Sequence, residues 1–306
     1  MLAGCVEQPS SPLIFGANTW PGYEPAFVAR ELGYLNTEQV HLAEFTNTTE
    51  VLRAFRNGKL HVAGLTLDEA LGLRHDIPDL QVFLVADFSN GADMLMARPG
   101  IKNLGQLRGK RIGVEKTALG VYFLNLILRE AGLSGRDIQI VSLPLDEQVE
   151  AYRAGSLDAV VTFGVNAGKL QKAGAEIIFD SSRLPGKIVD TLVIRAPDVQ
   201  ARKIQLHGFI QAWFRALNDI QHNHLRTYPY MAKREQTHIS DLAATLRGLQ
   251  LTDLQSNRLL LTGNPASLLT TSDEIHRNMK QLGLATGSDD LSQFINPLPI
   301  TRTDLD

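Results

Sequence analysis

The sequence predicts an α/β protein of two lobes, the second inserted into the first, with a helical C-terminal segment. Three observations carry that expectation. Strand-like apolar runs alternate with helical spacing from Leu13 to Ala86, the pattern of a mostly parallel sheet. The pattern restarts at Leu104 and continues to about residue 190. Beyond about residue 198, Phe209, Ile210, Trp213, Phe214 and Leu217 keep the three-to-four spacing of a core-facing helix.

Each element has a local reason. Residues 13–17 are a short apolar run, read as the first strand. Residues 25–32 are helical, with Pro25 suited to the first turn and Gly33 to the stop. Residues 40–45 are strand-like, and Asn47-Thr48-Thr49-Glu50 opens a helix that ends at Asn57-Gly58. After a strand at 60–65, Thr66 and Glu69 have the spacing of a capping box. Residues 80–86 form a buried-strand run. In the second unit, strands are expected at 111–115, 138–143, 157–163, 177–179 and 188–195. Helices at 118–131 and 147–154 are stopped by Gly132 and Gly155.

Extended segments at 92–97 and 191–195 bracket this second unit. If the C-terminal helices return to the first unit, two strands cross at a hinge, and the cleft between the lobes is the ligand site. The expected division is 1–12 as an N-terminal motif and tether, 13–95 with 196–306 as the first lobe, and 96–195 as the inserted lobe.

Composition excludes several functions. Thirty basic side chains against 33 acidic ones give a net charge of -3, with no polyanion-binding footprint, so no nucleic-acid partner is expected. No apolar run approaches the roughly 18–20 residues of a bilayer span. A single cysteine excludes a disulfide framework and a four-cysteine metal site. No Gly-x-Ser-x-Gly elbow, phosphate-binding Gly-Lys-Ser/Thr loop or His-Glu-x-x-His pair occurs. No enzyme activity, metal or cofactor is expected. His222 and His224 are close in sequence, but two-apart histidines on one helix would face different ways, and both are read as surface residues.

The lone cysteine, Cys5, follows Leu2-Ala3-Gly4 and precedes the polar, proline-bearing stretch 6–12. Leu-Ala-Gly-Cys resembles the bacterial lipobox, with a flexible tether after it. That resemblance implies a lipid on the Cys5 thiol, a place in the periplasm or cell envelope, and membrane attachment through the lipid anchor alone.

A family resemblance rests on an ordered set of stretches. These are Trp20-Pro21-Gly22-Tyr23-Glu24-Pro25, Ala54-Phe55-Arg56-Asn57-Gly58, Asp87-Phe88-Ser89-Asn90-Gly91-Ala92-Asp93, Leu107-Arg108-Gly109-Lys110-Arg111-Ile112-Gly113-Val114-Glu115, Ala154-Gly155-Ser156-Leu157-Asp158-Ala159-Val160-Val161 and Asp180-Ser181-Ser182. In this order, over about residues 13–195, the chain resembles the periplasmic substrate-binding proteins of the nitrate/taurine/thiamine-precursor group of ABC importers. The resemblance implies a two-lobed type II periplasmic binding fold and an extracytoplasmic solute-binding protein. Such a protein is a monomer that captures a small molecule and delivers it to an inner-membrane ABC permease. A receptor subunit for a membrane sensor kinase or cyclase is the alternative. The same fold resembles the fungal thiamine-pyrimidine synthase, but that family carries a cysteine-rich motif, and this chain has no cysteine beyond Cys5. There are two departures: His61 stands where the group often has aspartate, and Asn166 where it often has proline.

Ligands of open α/β sheets bind beyond the carboxyl ends of the strands. That rule selects Asn18, Trp20 and Tyr23 after the first strand, the two rings suited to stacking on a planar ligand or holding a cation. It selects Thr66, as a helix cap, a ligand donor or both. Asp68 and Glu69 beside it are explained by the helix dipole alone. Asp87, Ser89 and Asp93 could receive an amine, and Glu115 could close over it from the second lobe. Thr117, Leu119 and Gly120 begin a helix whose first amides can hold a polar group, and Phe163 ends a strand. Acids dominate these positions: Glu24, Asp87, Asp93, Glu115 and Asp190 stand against Lys116. An oxyanion normally requires arginine or many donors. The expected ligand is therefore a neutral or cationic solute, aromatic or amine-bearing.

Overall fold

The computed structural model describes residues 11–286, 288 and 290–303. Cys5 and its flanking motif lie outside the described residues.

The strands are β1 (Leu13–Ala17), β2 (Val40–Glu44), β3 (Val62–Thr66), β4 (Leu80–Ser89), β5 (Asp93–Ala97), β6 (Arg111–Val114), β7 (Gln139–Ser142), β8 (Ala159–Phe163), β9 (Glu176–Asp180), β10 (Val189–Arg195) and β11 (Leu249–Leu251). They form a six-stranded sheet, ordered β11-β4-β10-β3-β1-β2, and a five-stranded sheet, ordered β7-β6-β8-β5-β9. The helices that matter for the site are α1 (Glu24–Glu31), α2 (Thr48–Arg56), α3 (Leu67–Leu73), α4 (Ala118–Glu130), α5 (Gln148–Arg153), α6 (Gly164–Lys172), α7 (Ala196–Ala201), α8 (Lys203–His222), α9 (His224–Arg234) and α10 (Ile239–Leu246).

The sheets are mixed, which corrects the expectation of mostly parallel pairing. In the first, β10 runs antiparallel to both β3 and β4. In the second, β5 runs antiparallel to both β8 and β9. These are the strands that follow the two crossings. A chain arriving from the other lobe enters at the cleft end, where the ordinary βα units of that sheet finish, so it runs against them.

The strands also move the cut between lobes. Asp93–Ala97 pairs along its length with the second sheet, and Val189–Arg195 pairs along its length with the first. The crossings therefore fall at 90–92 and between β9 and β10, rather than at the ends of 96–195.

The core follows the sequence patterns. On α8, Phe209, Ile210, Trp213, Phe214 and Leu217 are all buried. Phe209 meets Phe15 of β1 at 5.2 Å between ring centroids. In the second lobe, successive residues of β5 face opposite ways: Leu95 and Ala97 join one apolar cluster, Met96 the other. No helix among the described residues is long and apolar enough to cross a membrane.

Smaller differences have local causes. The C-terminal segment is not wholly helical, because β11 adds an edge to the first sheet with Leu249 opposite Ser89. His222 ends α8 and His224 begins α9, with Asn223 non-helical between them, so the two do not share a helix. Both are exposed. Of the two departures from the resembled group, His61 Nδ1 accepts from the Ile14 amide at 2.9 Å, and Asn166 Nδ2 donates to the Leu145 carbonyl at 2.5 Å. Both are used as local ties.

Candidate functional site

The carboxyl ends of β1, β3 and β8 and the starts of β5 and β10 converge between the lobes. After β1 the chain turns through Pro21–Tyr23 into α1, a path that buries Trp20 and Tyr23. Two glycines make room for it. A Cβ on Gly64 would lie 2.9 Å from the Tyr23 ring, and one on Gly22 would lie 1.7 Å from Asp87 Oδ2. The rings thereby reach buried acids. Trp20 Nε1 donates to Asp87 Oδ2 at 3.1 Å, and Tyr23 Oη donates to Asp190 Oδ1 at 2.6 Å. Asp190 stands opposite both Thr66 and Asp87 in the sheet register.

The second lobe closes this surface. Phe163, at the end of β8, meets Trp20 edge-on with centroids 5.6 Å apart. Leu119, in the first turn of α4, and Asp93, at the start of β5, complete the wall with Asn18, Thr48, Thr66 and Glu69. The chamber they line is small, about 10 Å³, room for about one water. The lobes are closed on each other.

The chamber is acidic without compensation. Its lining includes Glu69, Asp93 and Asp190, and no lysine, arginine or histidine. Asp68 and Asp87 are buried just behind. Glu69 Oε2 accepts from the Thr66 amide at 3.1 Å, the capping bond expected from the spacing. Glu69 Oε1, Asp87 Oδ1 and Asp93 Oδ2 are buried with no hydrogen-bond partner.

Burial disfavours the charged form of each acid. It pushes Asp68 and Asp93 up to about 7 and Asp87 up to about 8. Burial, then the charge of Asp68, holds Glu69 well above the usual carboxylate range. Burial, then the charge of Asp87, does the same to Asp190. Burial, then Asp190, raises the Tyr23 phenol. Chemically, this arrangement can donate protons or receive a cation. Among the described residues no group of His, Cys, Asp and Glu has the geometry to hold a metal ion.

Of the residues selected from sequence, Asn18, Trp20, Tyr23, Thr66, Asp93, Leu119 and Phe163 line the chamber. The others stand outside that lining. Asp87 sits behind Trp20. Ser89 belongs to the hinge: its Oγ lies 2.7 Å from Ser181 Oγ and accepts from the Asp93 amide at 3.2 Å. Thr117 caps α4 by accepting from the Gly120 amide at 3.1 Å, and that bond occupies the Gly120 amide. Glu115 reaches across to Thr49 instead, its Oε1 accepting from Thr49 Oγ1 at 2.9 Å.

Sequence reasoning passed over Thr48 and explained Glu69 by its capping position. The signal for Thr48 was available, because a helix start after β2 lies at the same sheet edge as Asn18. Asn18 Nδ2 donates to Thr48 Oγ1 at 3.1 Å. Glu24 is buried elsewhere, ion-paired with Arg234.

Two mixed α/β lobes, joined by crossing segments and closed over a polar chamber at their strand ends, define the two-lobed type II periplasmic binding fold. The chain belongs to the NMT1-like family, whose sequence profile matches residues 7–233. It is 25% identical over 165 residues to the taurine-binding periplasmic protein of Escherichia coli (strain K12). That match covers 53% of this chain and about half of the relative's length, 51%. The structure superposes on the periplasmic aliphatic sulphonate binding protein SsuA from Escherichia coli with a TM-score of 0.76. There the identity is 16%, over 94% of this chain and 92% of that one. It also superposes on the desulfurization enzyme DSZB, with a TM-score of 0.69 and 14% identity over 95% of this chain and 98% of the other.

Proposed function

We propose that this protein is an extracytoplasmic solute-binding protein that captures a cationic, amine-bearing small molecule between its lobes and hands it to an ABC importer's membrane permease. One observation carries the ligand class: buried carboxylates face a chamber whose lining holds no basic side chain. An unpaired buried charge is costly, and a cation placed among these carboxyls lowers that cost for the one it pairs with. The ligand-contacting residues in this reading are Asn18, Trp20, Tyr23, Thr48, Thr66, Glu69, Asp93, Leu119, Phe163 and Asp190. Trp20, Tyr23 and Phe163 supply ring faces or edges, and Glu69, Asp93 and Asp190 the negative charge.

The taurine and sulphonate ligands named for the similar proteins bear an anionic head. A sulfonate brought into this chamber would meet carboxylates with no basic side chain in the lining, which supports a cationic head in its place. The fold serves both binding proteins and an enzyme, so the role rests on the site. Its lining offers rings, hydroxyls and carboxylates suited to holding a solute, and binding without turnover is the reading we adopt. The family resemblance supports delivery to a permease and a monomeric state, and the lipobox resemblance supports a lipid on Cys5.

A thermal-shift and calorimetric screen of amines, pyrimidines and sulfonates tests the ligand class. An amine present at about 100 times its Kd should add roughly 2.7 kcal/mol of stability. Tight binding of an alkanesulfonate that lacks an amine, with no response to any cationic amine, would overturn it. Lipid attachment is tested by labelled-fatty-acid incorporation in the producing bacterium, expected in the wild type and lost in Cys5→Ser.

A further inference from the structure

We propose that Glu115 is a closure latch, a positioning residue by which the second lobe docks on the first turn of α2 and sets Thr48 against the chamber. The idea rests on the reading that the lobes close over a solute, and it assigns Glu115 to closure instead of ligand contact.

Glu115 follows β6 in the second lobe and is buried, yet it does not line the chamber. Its Oε1 accepts from the Thr49 amide at 3.3 Å and from Thr49 Oγ1 at 2.9 Å. Thr49 lies in the first turn of α2, where amides have no partner within the helix. The helix dipole also favours a carboxylate there. A second acid of the same lobe lies at the same place: Asp146 Oδ1 accepts from Asn47 Nδ2 at 3.4 Å, while Asn47 Oδ1 caps α2 through the Glu50 amide at 3.0 Å.

Between these two anchor points stands Thr48, which lines the chamber and is tied to Asn18. Three consecutive residues therefore divide the work. Asn47 and Thr49 hold the second lobe, and Thr48 faces the solute. Closure and the shape of the chamber are coupled through one helical turn.

The test uses the full chain without added ligand, so it does not depend on knowing the solute. Amide hydrogen exchange and small-angle X-ray scattering are compared for wild type, Glu115→Ala and Thr49→Val. The Thr49 amide should exchange about ten-fold faster in Glu115→Ala, matching the loss of one hydrogen bond to a charged acceptor. The later turns of α2 should keep their protection. The radius of gyration should rise in both variants as the open form gains population. Thr49→Val keeps the second lobe untouched, so it remains informative if Glu115→Ala folds poorly. Unchanged Thr49 exchange and unchanged radius in both variants overturn the latch. Failure of every amine to bind, with these changes present, would overturn the ligand class and leave the latch standing.

Discussion

Trp20 and Asp87 are joined by a hydrogen bond of 3.1 Å from the indole Nε1 to Oδ2, made inside the protein where both side chains are buried. The pair links the loop after the first strand to the end of the fourth, across the floor of the site. It turns a buried acid into an orienting group for the ring that meets Phe163. The consequences are measurable.

Gly22→Ala should disrupt this pair directly. The added methyl would lie 1.7 Å from Asp87 Oδ2 and 2.7 Å from Trp20 Nε1. Overpacking of this kind costs typically 1–3 kcal/mol, occasionally more. Urea denaturation should show the loss, with a red-shifted indole emission in the native baseline. A variant as stable as wild type would contradict the packing described.

Asp87→Asn keeps an acceptor for the indole and removes the charge. Burial places the Asp87 carboxyl at about 8. Above that pH the wild type carries an ionised group in its interior. Ligand-free Asp87→Asn should therefore melt higher than wild type at pH 9, and the gap should shrink toward pH 5. The same variant should bind a cationic ligand more weakly.

The wider pH dependence follows from the same sign. Asp68 and Asp93 at about 7 and Asp87 at about 8 all lie above the usual carboxylate value of about 3.9 in an unfolded chain. The native state then holds more protons than the unfolded state. Their contribution to stability is fully present below about pH 4 and is lost as pH rises through about 7 to 8. Within that window each group contributes a slope of at most about 1.4 kcal/mol per pH unit. Melting of the ligand-free protein should fall steadily from pH 5 to pH 8.5. A binding cation should release protons, visible in calorimetry as a heat that depends on the buffer's ionisation enthalpy. A flat melting profile over this range would be inconsistent with the buried carboxyls.

Tyr23→Phe removes the 2.6 Å bond to Asp190 and leaves the ring over Gly64 in place. Leaving a buried acceptor without its donor costs about 1–3 kcal/mol. The midpoint of urea unfolding should drop accordingly, with an unchanged slope.

Much of the fold was legible because local chemistry and global fold agree. Thr66 and Glu69 have the spacing of a cap, and they form one. Phe209 to Leu217 keep helical spacing, and they are buried. What could not be read was strand direction after each crossing. Val189–Arg195 has the composition of any buried strand, and only its arrival from the other lobe makes it antiparallel. Part of the chamber lining was legible by position, because Asn18, Trp20, Thr66 and Phe163 stand at strand ends. The roles of individual acids were not: Asp93 and Glu115 look alike in sequence, yet one faces the chamber and the other faces Thr49.

The sequence by itself determined the alternation of strands and helices, the two-lobed plan, and the excess of acid near the strand ends. Apolar periodicity and turn chemistry act over a few residues, so they survive in a linear reading. Only the tertiary structure decided which carboxylates are buried together and which bridge the lobes. That outcome depends on how residues far apart in the chain are brought together: Tyr23 and Asp190 within the first lobe, Thr49 and Glu115 where the two lobes meet. Burial at that place makes the carboxyls costly to ionise.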